Sequence, residues 1–232
     1  MKILVFSDAH GNAAALDGLV DEASSADLVL FGGDFAAVGA PETGLPVLER
    51  LLSLNDRVFA VLGNCDDPSF REELEARDAS VEASLSYFSG LILTGSGGGS
   101  RFTGDTPNER SDEDLVADLR LVEEGSAGED GTVTGWENLV VIAHNPPKDT
   151  NLDRIVSGAH VGSQLIRAFV ERYRPLLVVS GHIHESFGVD EIGPSRLVNP
   201  GSIAEGRYAV VTLSGGGSEP FRVDGIELKR LS

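Results

Sequence analysis

The chain has 232 residues, of which 37 are acidic and 18 basic, giving a formal net charge of -19, and 41% are hydrophobic. This length and hydrophobic share predict one domain, 1–232. The irregular glycine-rich stretch in its middle and the helix after it predict a variable loop and helix insertion at about 95–135. The negative charge argues against nucleic-acid binding, because non-specific affinity for a phosphate backbone comes from clustered Lys and Arg.

Cysteine content and the N-terminal segment bear on location. The single cysteine excludes an intramolecular disulfide framework. The first apolar run is short and is soon followed by Asp8, which is unlike a signal peptide, and no run is long enough to span a membrane. We therefore expect a cytoplasmic protein without membrane association.

Short apolar runs, each ending in polar residues, recur along the chain. In order, they are 3–6, 28–31, 58–62, 139–143 and 176–181. Continuous apolar runs of this length predict strands buried on both faces, and side chains that follow such strands gather at the carboxyl edge of an α/β sheet. The runs therefore predict an α/β fold with several polar groups in one crevice.

The segments between these strands have helical spacing of their apolar residues. They predict helices after Asn12, after Pro46, over 111–124 and from Val161 to Tyr173. Near the C-terminus, two strands are predicted at 208–213 and 221–228, joined by the glycine-rich stretch 214–218. The helices are expected to cover a sheet.

The residues that end the five apolar runs are good metal ligands. They are Asp8, His10, Asp34, Asn64, His144, His182 and His184. A pair of divalent ions needs one carboxylate to bridge them and imidazole and oxygen donors to complete each coordination sphere. Asp34 is the natural bridge.

The five short motifs are D-x-H, G-D, G-N, H and G-H-x-H. In this order, each after an apolar run, they resemble the calcineurin-like metallophosphoesterase family from residue 1 to about 202. The resemblance implies a two-sheet α/β sandwich of mixed strands flanked by helices. It also implies hydrolysis of a small phosphorylated substrate by a hydroxide that two metals activate.

The same resemblance implies which residues hold each metal. The first ion is expected on Asp8, His10, Asp34 and His184, and the second on Asp34, Asn64, His144 and His182. Mixed imidazole, carboxylate and carboxamide donors suit transition metals better than calcium. The resemblance favours manganese, with Fe, Zn, Co, Ni and Mg as alternatives.

One motif departs from the common family pattern. Many members have histidine after the asparagine of G-N, as a proton donor to the leaving oxygen, whereas this chain has Gly63-Asn64-Cys65-Asp66. The G-N-C-D form resembles a smaller phosphodiesterase branch, which favours a diester over a monoester substrate. Cys65 is then either a general acid or a small apolar filler beside a buried strand.

Three residues outside the ligand set are candidates for substrate contact. Asn12 either lies near the site or caps the following helix. His160 either meets a substrate phosphate at a helix start or is a solvated loop histidine. Arg101 either clamps a phosphate or pairs with a surface carboxylate.

The irregular stretch 95–110 leaves open how substrate is selected. A nucleotide-binding interpretation of its glycines is weak, because the third glycine of G-x-G-x-x-G would fall on Ser100. The stretch is either a substrate-selecting element or an ordinary surface insertion. As alternative functions, the chain could be a catalytically silent scaffold that binds proteins, or a nucleotide-binding regulator that uses this loop.

Overall fold

A computed structural model describes residues 1–126 and 136–231. Most of its strands form two large mixed sheets. The strands are β1 (Lys2–Phe6), β2 (Leu28–Phe31), β3 (Val58–Ala60), β4 (Ser86–Phe88), β5 (Leu91–Ser96), β6 (Gly99–Ser100), β7 (Glu109–Arg110), β8 (Leu139–Ala143), β9 (Leu177–Val179), β10 (Gly188–Ile192), β11 (Ser195–Asn199), β12 (Arg207–Gly216) and β13 (Glu219–Arg230). The α-helices are α1 (Val20–Ser24), α2 (Gly44–Leu54), α3 (Arg71–Glu75), α4 (Asp112–Ala117), α5 (Arg120–Ser126) and α6 (Gln164–Tyr173). The 3-10 helices are Ala13–Leu19, Pro41–Thr43, Pro68–Phe70, His184–Ser186 and Ile203–Glu205.

The first sheet has the order β13-β12-β1-β2-β3, and the second has the order β10-β11-β9-β8-β5-β4. In the first sheet β1, β2 and β3 run parallel, and in the second β5, β8, β9 and β11 do. Parallel strands are covered on both faces, which is why the corresponding runs are almost wholly apolar. A separate pair, β6 and β7, is also parallel.

The hydrophobic core lies in three layers. Between the sheets, Ile3 and Val5 of β1 belong to one buried cluster with Val140 and Ile142 of β8. A second cluster fills the space between the first sheet and the helices over it, and a third does the same for the second sheet. The predicted two-sheet α/β sandwich of mixed strands flanked by helices is confirmed.

The predicted helix over 111–124 is wrong in its continuity, because α4 and α5 are separate. The chain tightens between them, where the N–H of Leu119 donates to the carbonyl of Val116, three residues back. Leu115, Leu119 and Val122 are all fully buried nevertheless. The apolar stripe therefore marked the buried face correctly, although it did not show the break.

The other helices differ from prediction mainly at their starts. The segment after Asn12 begins as a 3-10 helix and becomes α-helical only at Val20. Helix α2 starts at Gly44, so Pro46 lies in its first turn. Proline is tolerated there because the N–H groups of a first turn have no partner within the helix. Helix α6 starts at Gln164, where the Ser163 hydroxyl accepts the N–H of Ile166, and ends before Pro175.

The strand predictions are confirmed at all five apolar runs, and both C-terminal strands are longer than predicted. Strand β5 contains Gly95 and Ser96, which the sequence placed in an irregular region. Residues 127–135 of the predicted insertion lie outside the described residues. Within the described ranges, no helix combines the length and apolar character needed to cross a membrane.

Candidate metal centre

The candidate ligands meet where strand ends of the two sheets come together. Asp8 follows β1, and its N–H donates to the carbonyl of Gly33 after β2, at 2.9 Å. On the second sheet, the N–H of Gly181 after β9 donates to the carbonyl of His144 after β8, at 3.0 Å. Backbone hydrogen bonds thus hold neighbouring ligand loops against one another.

Asp8, His10 and His184 form the first half of the site. The Nε2 atoms of His10 and His184 are 3.2 Å apart, and His184 Nε2 lies 3.3 Å from Asp8 Oδ1. Asp8 is fully buried, whereas both imidazoles are partly exposed. Two ring nitrogens and a carboxylate oxygen that converge at these distances can share one cation.

Asp34 lies between the two halves. Its Oδ2 is 3.8 Å from His10 Nε2 on one side and 3.6 Å from His144 Nε2 on the other. Its Oδ1 accepts the N–H of Cys65 at 2.8 Å, which fixes the carboxylate in this position. Asp34 therefore has the position expected of a bridging ligand.

His144, Asn64 and His182 form the second half. The Nδ1 of His144 lies 2.7 Å from the carbonyl of Gly32, so Nδ1 carries the proton and Nε2 is left as an acceptor. That Nε2 faces Asn64 Oδ1 at 3.0 Å, and Asn64 Nδ2 donates to Thr106 Oγ1 at 3.2 Å. The His182 ring packs against the His144 ring with centroids 5.2 Å apart.

This arrangement fits a cation because acceptor atoms face one another. With its proton on Nδ1, the His144 ring turns a lone pair toward the amide oxygen of Asn64, and Asp8 Oδ2 is buried with no hydrogen-bond partner. Burial and then the charges of Asp8 and Asp66 raise the pKa of Asp34 well above its usual value. A divalent ion would satisfy the acceptors and offset the crowded negative charge.

The two imidazoles of the second half, His144 and His182, are in the protonation state that a metal needs. Burial, and then the neighbouring His144, lower the pKa of His182 to about 3, and burial also lowers the pKa of His144. Both rings are therefore neutral at pH 7. A neutral imidazole nitrogen can donate its lone pair to a metal.

Four of the seven candidate ligands have left-handed backbone conformations. The φ values are +58° for Asp8, +45° for His10, +60° for Asp34 and +67° for His182. Such conformations are uncommon for residues other than glycine and gather at functional sites, held there by the surrounding structure. No property of the sequence motifs indicates this strain.

Residues 1–186 match the family model described as calcineurin-like phosphoesterase, and this stretch includes all seven candidate ligands. The chain belongs to the calcineurin-like phosphoesterase family. A curated relative, uncharacterized protein MJ1162 of Methanocaldococcus jannaschii, is 31% identical over 207 residues, which cover 86% of this chain and 88% of that protein.

Several solved structures have the same fold as this chain. The protein TT1561 of Thermus thermophilus has a TM-score of 0.70 at 18% identity, with 100% of this chain and 99% of that chain covered. A structure described as an archaeal phosphodiesterase has a TM-score of 0.51 at 12% identity, covering 98% of this chain and 100% of that chain. At these identities the likeness establishes the fold alone.

The phosphoesterase fold places the other candidate residues at different distances from the centre. The Cys65 thiol is close to ligand atoms of His10 and Asp34, and burial, followed by the charge of Asp34, raises its pKa. Asn12 accepts the N–H of Ala15 and so caps the following 3-10 helix. His160 contacts Asp153, with Nδ1 2.6 Å from a carboxylate oxygen, outside the ligand cluster.

Asp66 is a positioning residue that the motif analysis missed. Its buried carboxylate accepts N–H groups from Gly63 at 2.8 Å, Ala36 at 2.7 Å and Phe35 at 3.2 Å. These bonds join the loop that carries Asp34 to the loop that carries Asn64. A sequence signal was present, since Asp66 ends the G-N-C-D motif.

We expect Asp66→Ala to destabilise the protein by about 3 kcal/mol, because three buried N–H groups would lose their acceptor. Urea unfolding of the metal-stripped protein measures this. Asp56→Ala is the matched control, since the Asp56 side chain is 85% exposed, and it should change stability by less than about 0.5 kcal/mol. Equal stabilities of the two variants would contradict the positioning role.

Glu82 holds the strand that leads into the G-N motif. It is buried and accepts the N–H of Leu62, and burial raises its pKa from 4.5 to about 7. An acid whose pKa is higher in the folded chain takes up a proton on folding. Its contribution to stability therefore falls as pH rises from about 4.5 to about 7 and is constant above that range.

Glu82→Gln should remove this dependence, since an amide can still accept the Leu62 N–H without carrying a buried charge. As pH rises from 4.5 to 8, the free energy of unfolding of the variant should increase by up to about 3 kcal/mol relative to that of the unmodified protein. Urea unfolding of both metal-stripped proteins across this pH range measures the difference. A constant difference would show that Glu82 is not protonated on folding.

Proposed function

We propose that the protein hydrolyses phosphoesters with two divalent metal ions, and that phosphodiesters are preferred over monoesters. The observation that carries this proposal is the position of Asp34 Oδ2, 3.8 Å from His10 Nε2 and 3.6 Å from His144 Nε2. A single carboxylate between two sets of nitrogen and oxygen donors is what a dinuclear centre requires. The preference for diesters rests on the G-N-C-D motif.

The seven residues divide into two overlapping ligand sets. We propose Asp8, His10, Asp34 and His184 for the first ion, and Asp34, Asn64, His144 and His182 for the second. Bound divalent ions would supply Lewis acidity toward phosphoryl oxygens and lower the pKa of a bound water. Manganese is proposed from the family resemblance, with Fe, Zn, Co, Ni and Mg as alternatives.

The chain's own residues supply orientation and proton control. The Gly32 carbonyl holds the His144 proton on Nδ1, which keeps Nε2 free for a ligand role. The amide of Asn64 is oriented by Thr106, so its oxygen faces inward. Cys65 retains its proton at neutral pH because its pKa is raised, and it stays a hypothesis as the proton donor to the leaving oxygen.

The proposal also covers the residues that contact the substrate and the location of the protein in the cell. Arg101 and His160 are proposed to meet the substrate, while Asn12 stays a weaker prediction because its side chain already caps a helix. The substrate is proposed to be small and phosphorylated. A cytoplasmic location and a single domain with a variable insertion also stay predictions.

The test is hydrolysis of bis(4-nitrophenyl) phosphate and of 4-nitrophenyl phosphate by metal-stripped protein, before and after Mn²⁺ is added. We expect turnover that requires the metal and is faster for the diester. If Mn²⁺ binds but neither ester is hydrolysed, the alternative of a catalytically silent scaffold is favoured. Turnover without metal would contradict the proposal.

A further inference from the structure

A cavity of about 450 Å³ opens beside the second half of the centre. Two candidate ligands, Asn64 and His182, are among its lining residues, so a phosphoester bound at the centre would lie next to it. The rest of its wall includes the apolar side chains of Phe102, Val161 and Ile183. This apolar part of the wall suits a flat apolar group, and among the described residues the one carboxylate that also lines the cavity, Glu109, already accepts backbone N–H groups.

Phe102 is notable within this wall. Its side chain is 87% exposed although it is a large aromatic residue. The loop that carries it is tied down by Glu109, whose carboxylate accepts the N–H groups of Phe102 at 2.8 Å and Gly104 at 3.0 Å. An exposed aromatic ring on an anchored loop beside a cavity is suited to stacking against a ligand.

A second cavity, of about 330 Å³, adjoins the first. The two share Ser100, Arg101 and Val161, and the second also contains Lys148 and His160. Basic side chains are thus gathered on one side of a chain whose net charge is -19. This basic cluster lies next to the apolar wall of the first cavity.

Two of these basic groups keep their charge available. Within residues 1–126 and 136–231, neither Arg101 nor Lys148 has a carboxylate oxygen within ion-pair distance. By contrast, Arg110 is bound to Asp118, and His160 contacts Asp153.

The one carboxylate that lines the second cavity has other partners. Asp112 accepts the hydroxyl of Ser163 and, at 3.0 Å, the N–H of Leu165, so it caps helix α6. The Asp112 carboxylate is therefore already occupied by hydrogen bonds from the start of that helix. Arg101 and Lys148 are therefore two cations that line the same cavity, and Arg101 lines the apolar cavity as well.

From this juxtaposition we propose that the substrate is a phosphoester with two further parts: an apolar, aromatic group next to the scissile phosphate, and a second anionic group beyond it. The aromatic group lies against Phe102, Val161 and Ile183, and the second anion lies at Arg101 and Lys148. This inference rests on the proposed function, because it takes the centre as the place where the first phosphate binds.

The test uses two stable ligands that differ only in the second anion: benzylphosphonate and p-xylylenediphosphonate. Their affinities for the Mn²⁺-loaded protein are measured by calorimetry, which does not depend on turnover. We expect the diphosphonate to bind about tenfold more tightly, since its second phosphonate would pair with Arg101 and Lys148. The double variant Arg101→Gln/Lys148→Gln should abolish that difference.

Matched variants separate this result from a general charge effect. Arg57→Gln is the control, because Arg57 is an exposed arginine that pairs with Asp56 and lines neither cavity. It should preserve the tenfold difference. Phe102→Ala should weaken both ligands by a similar factor, since both carry the aromatic ring.

The outcomes distinguish this inference from the proposed function. Equal affinity of the two ligands for the unmodified protein would overturn the second anion site, even if aryl phosphodiesters are hydrolysed. An unchanged preference in the Arg101→Gln/Lys148→Gln variant would overturn it as well. A clear preference for the diphosphonate without ester hydrolysis would support the subsite while contradicting the hydrolytic function.

Discussion

Asp34→Asn should lower Mn²⁺-dependent phosphodiester turnover by at least about 10³-fold, which corresponds to about 4 kcal/mol of transition-state stabilisation. The expectation follows from the position of Asp34 between His10 and His144. An amide can still accept the Cys65 N–H, so the loop geometry should persist. A neutral amide, however, is a poor bridge between two cations.

The variant should also separate metal binding from folding. Without metal it should be at least as stable as the unmodified protein, because one of three neighbouring buried acids, with Asp8 and Asp66, becomes neutral. The thermal stabilisation that Mn²⁺ gives the unmodified protein should shrink, since a ligand stabilises only the state that binds it. Steady-state kinetics and thermal unfolding with and without Mn²⁺ measure both effects.

Asp56→Asn is the matched control, because it makes the same chemical change at an exposed side chain. It should leave turnover within about twofold and leave the Mn²⁺ effect on unfolding unchanged. Turnover of Asp34→Asn within tenfold of the unmodified protein would show that Asp34 is not the bridging ligand.

Gly63→Ala should have the largest effect on stability, at least about 3 kcal/mol. A methyl group at this position would overlap both the backbone nitrogen and the carboxylate of Asp34. Neither neighbour can move freely, because the carboxylate is held by the Cys65 N–H and the loops are joined through Asp66. The substitution should therefore separate the two ligand loops.

Urea unfolding of the metal-stripped variant measures this loss, and Mn²⁺ titration should show weaker binding. Gly225→Ala provides the control, since a methyl group there meets no other atom within 4 Å. It should change stability by less than about 1 kcal/mol. If Gly63→Ala were as stable as Gly225→Ala, the close packing of the two loops would be contradicted.

The sequence predicted the scaffold well because burial on both faces leaves a simple pattern. Five apolar runs became five strands, and the polar residues after them came together as expected from parallel topology. The break between α4 and α5 could not be predicted in this way. It depends on a local turn at Leu119, and both helices keep the same apolar stripe.

The sequence predicted which candidate metal ligands come together, but not which residues hold their loops in place. Asp66 ends the G-N-C-D motif, but the motif does not show that its carboxylate accepts N–H groups from the Asp34 loop, and nothing in the sequence marks Glu82, which accepts the N–H of Leu62. The same is true of Asn199, whose amide donates to the carbonyls of Gly181 and Ile183 and so steadies the G-H-x-H loop. These roles depend on tertiary contacts between distant segments.

The most direct test of the dinuclear centre is a titration of metal-stripped protein with Mn²⁺ in which bound metal and phosphodiester turnover are followed together. Turnover should rise with occupancy and reach its plateau at two ions per chain. Full activity at one ion per chain, or turnover that does not change as Mn²⁺ binds, would contradict a dinuclear centre.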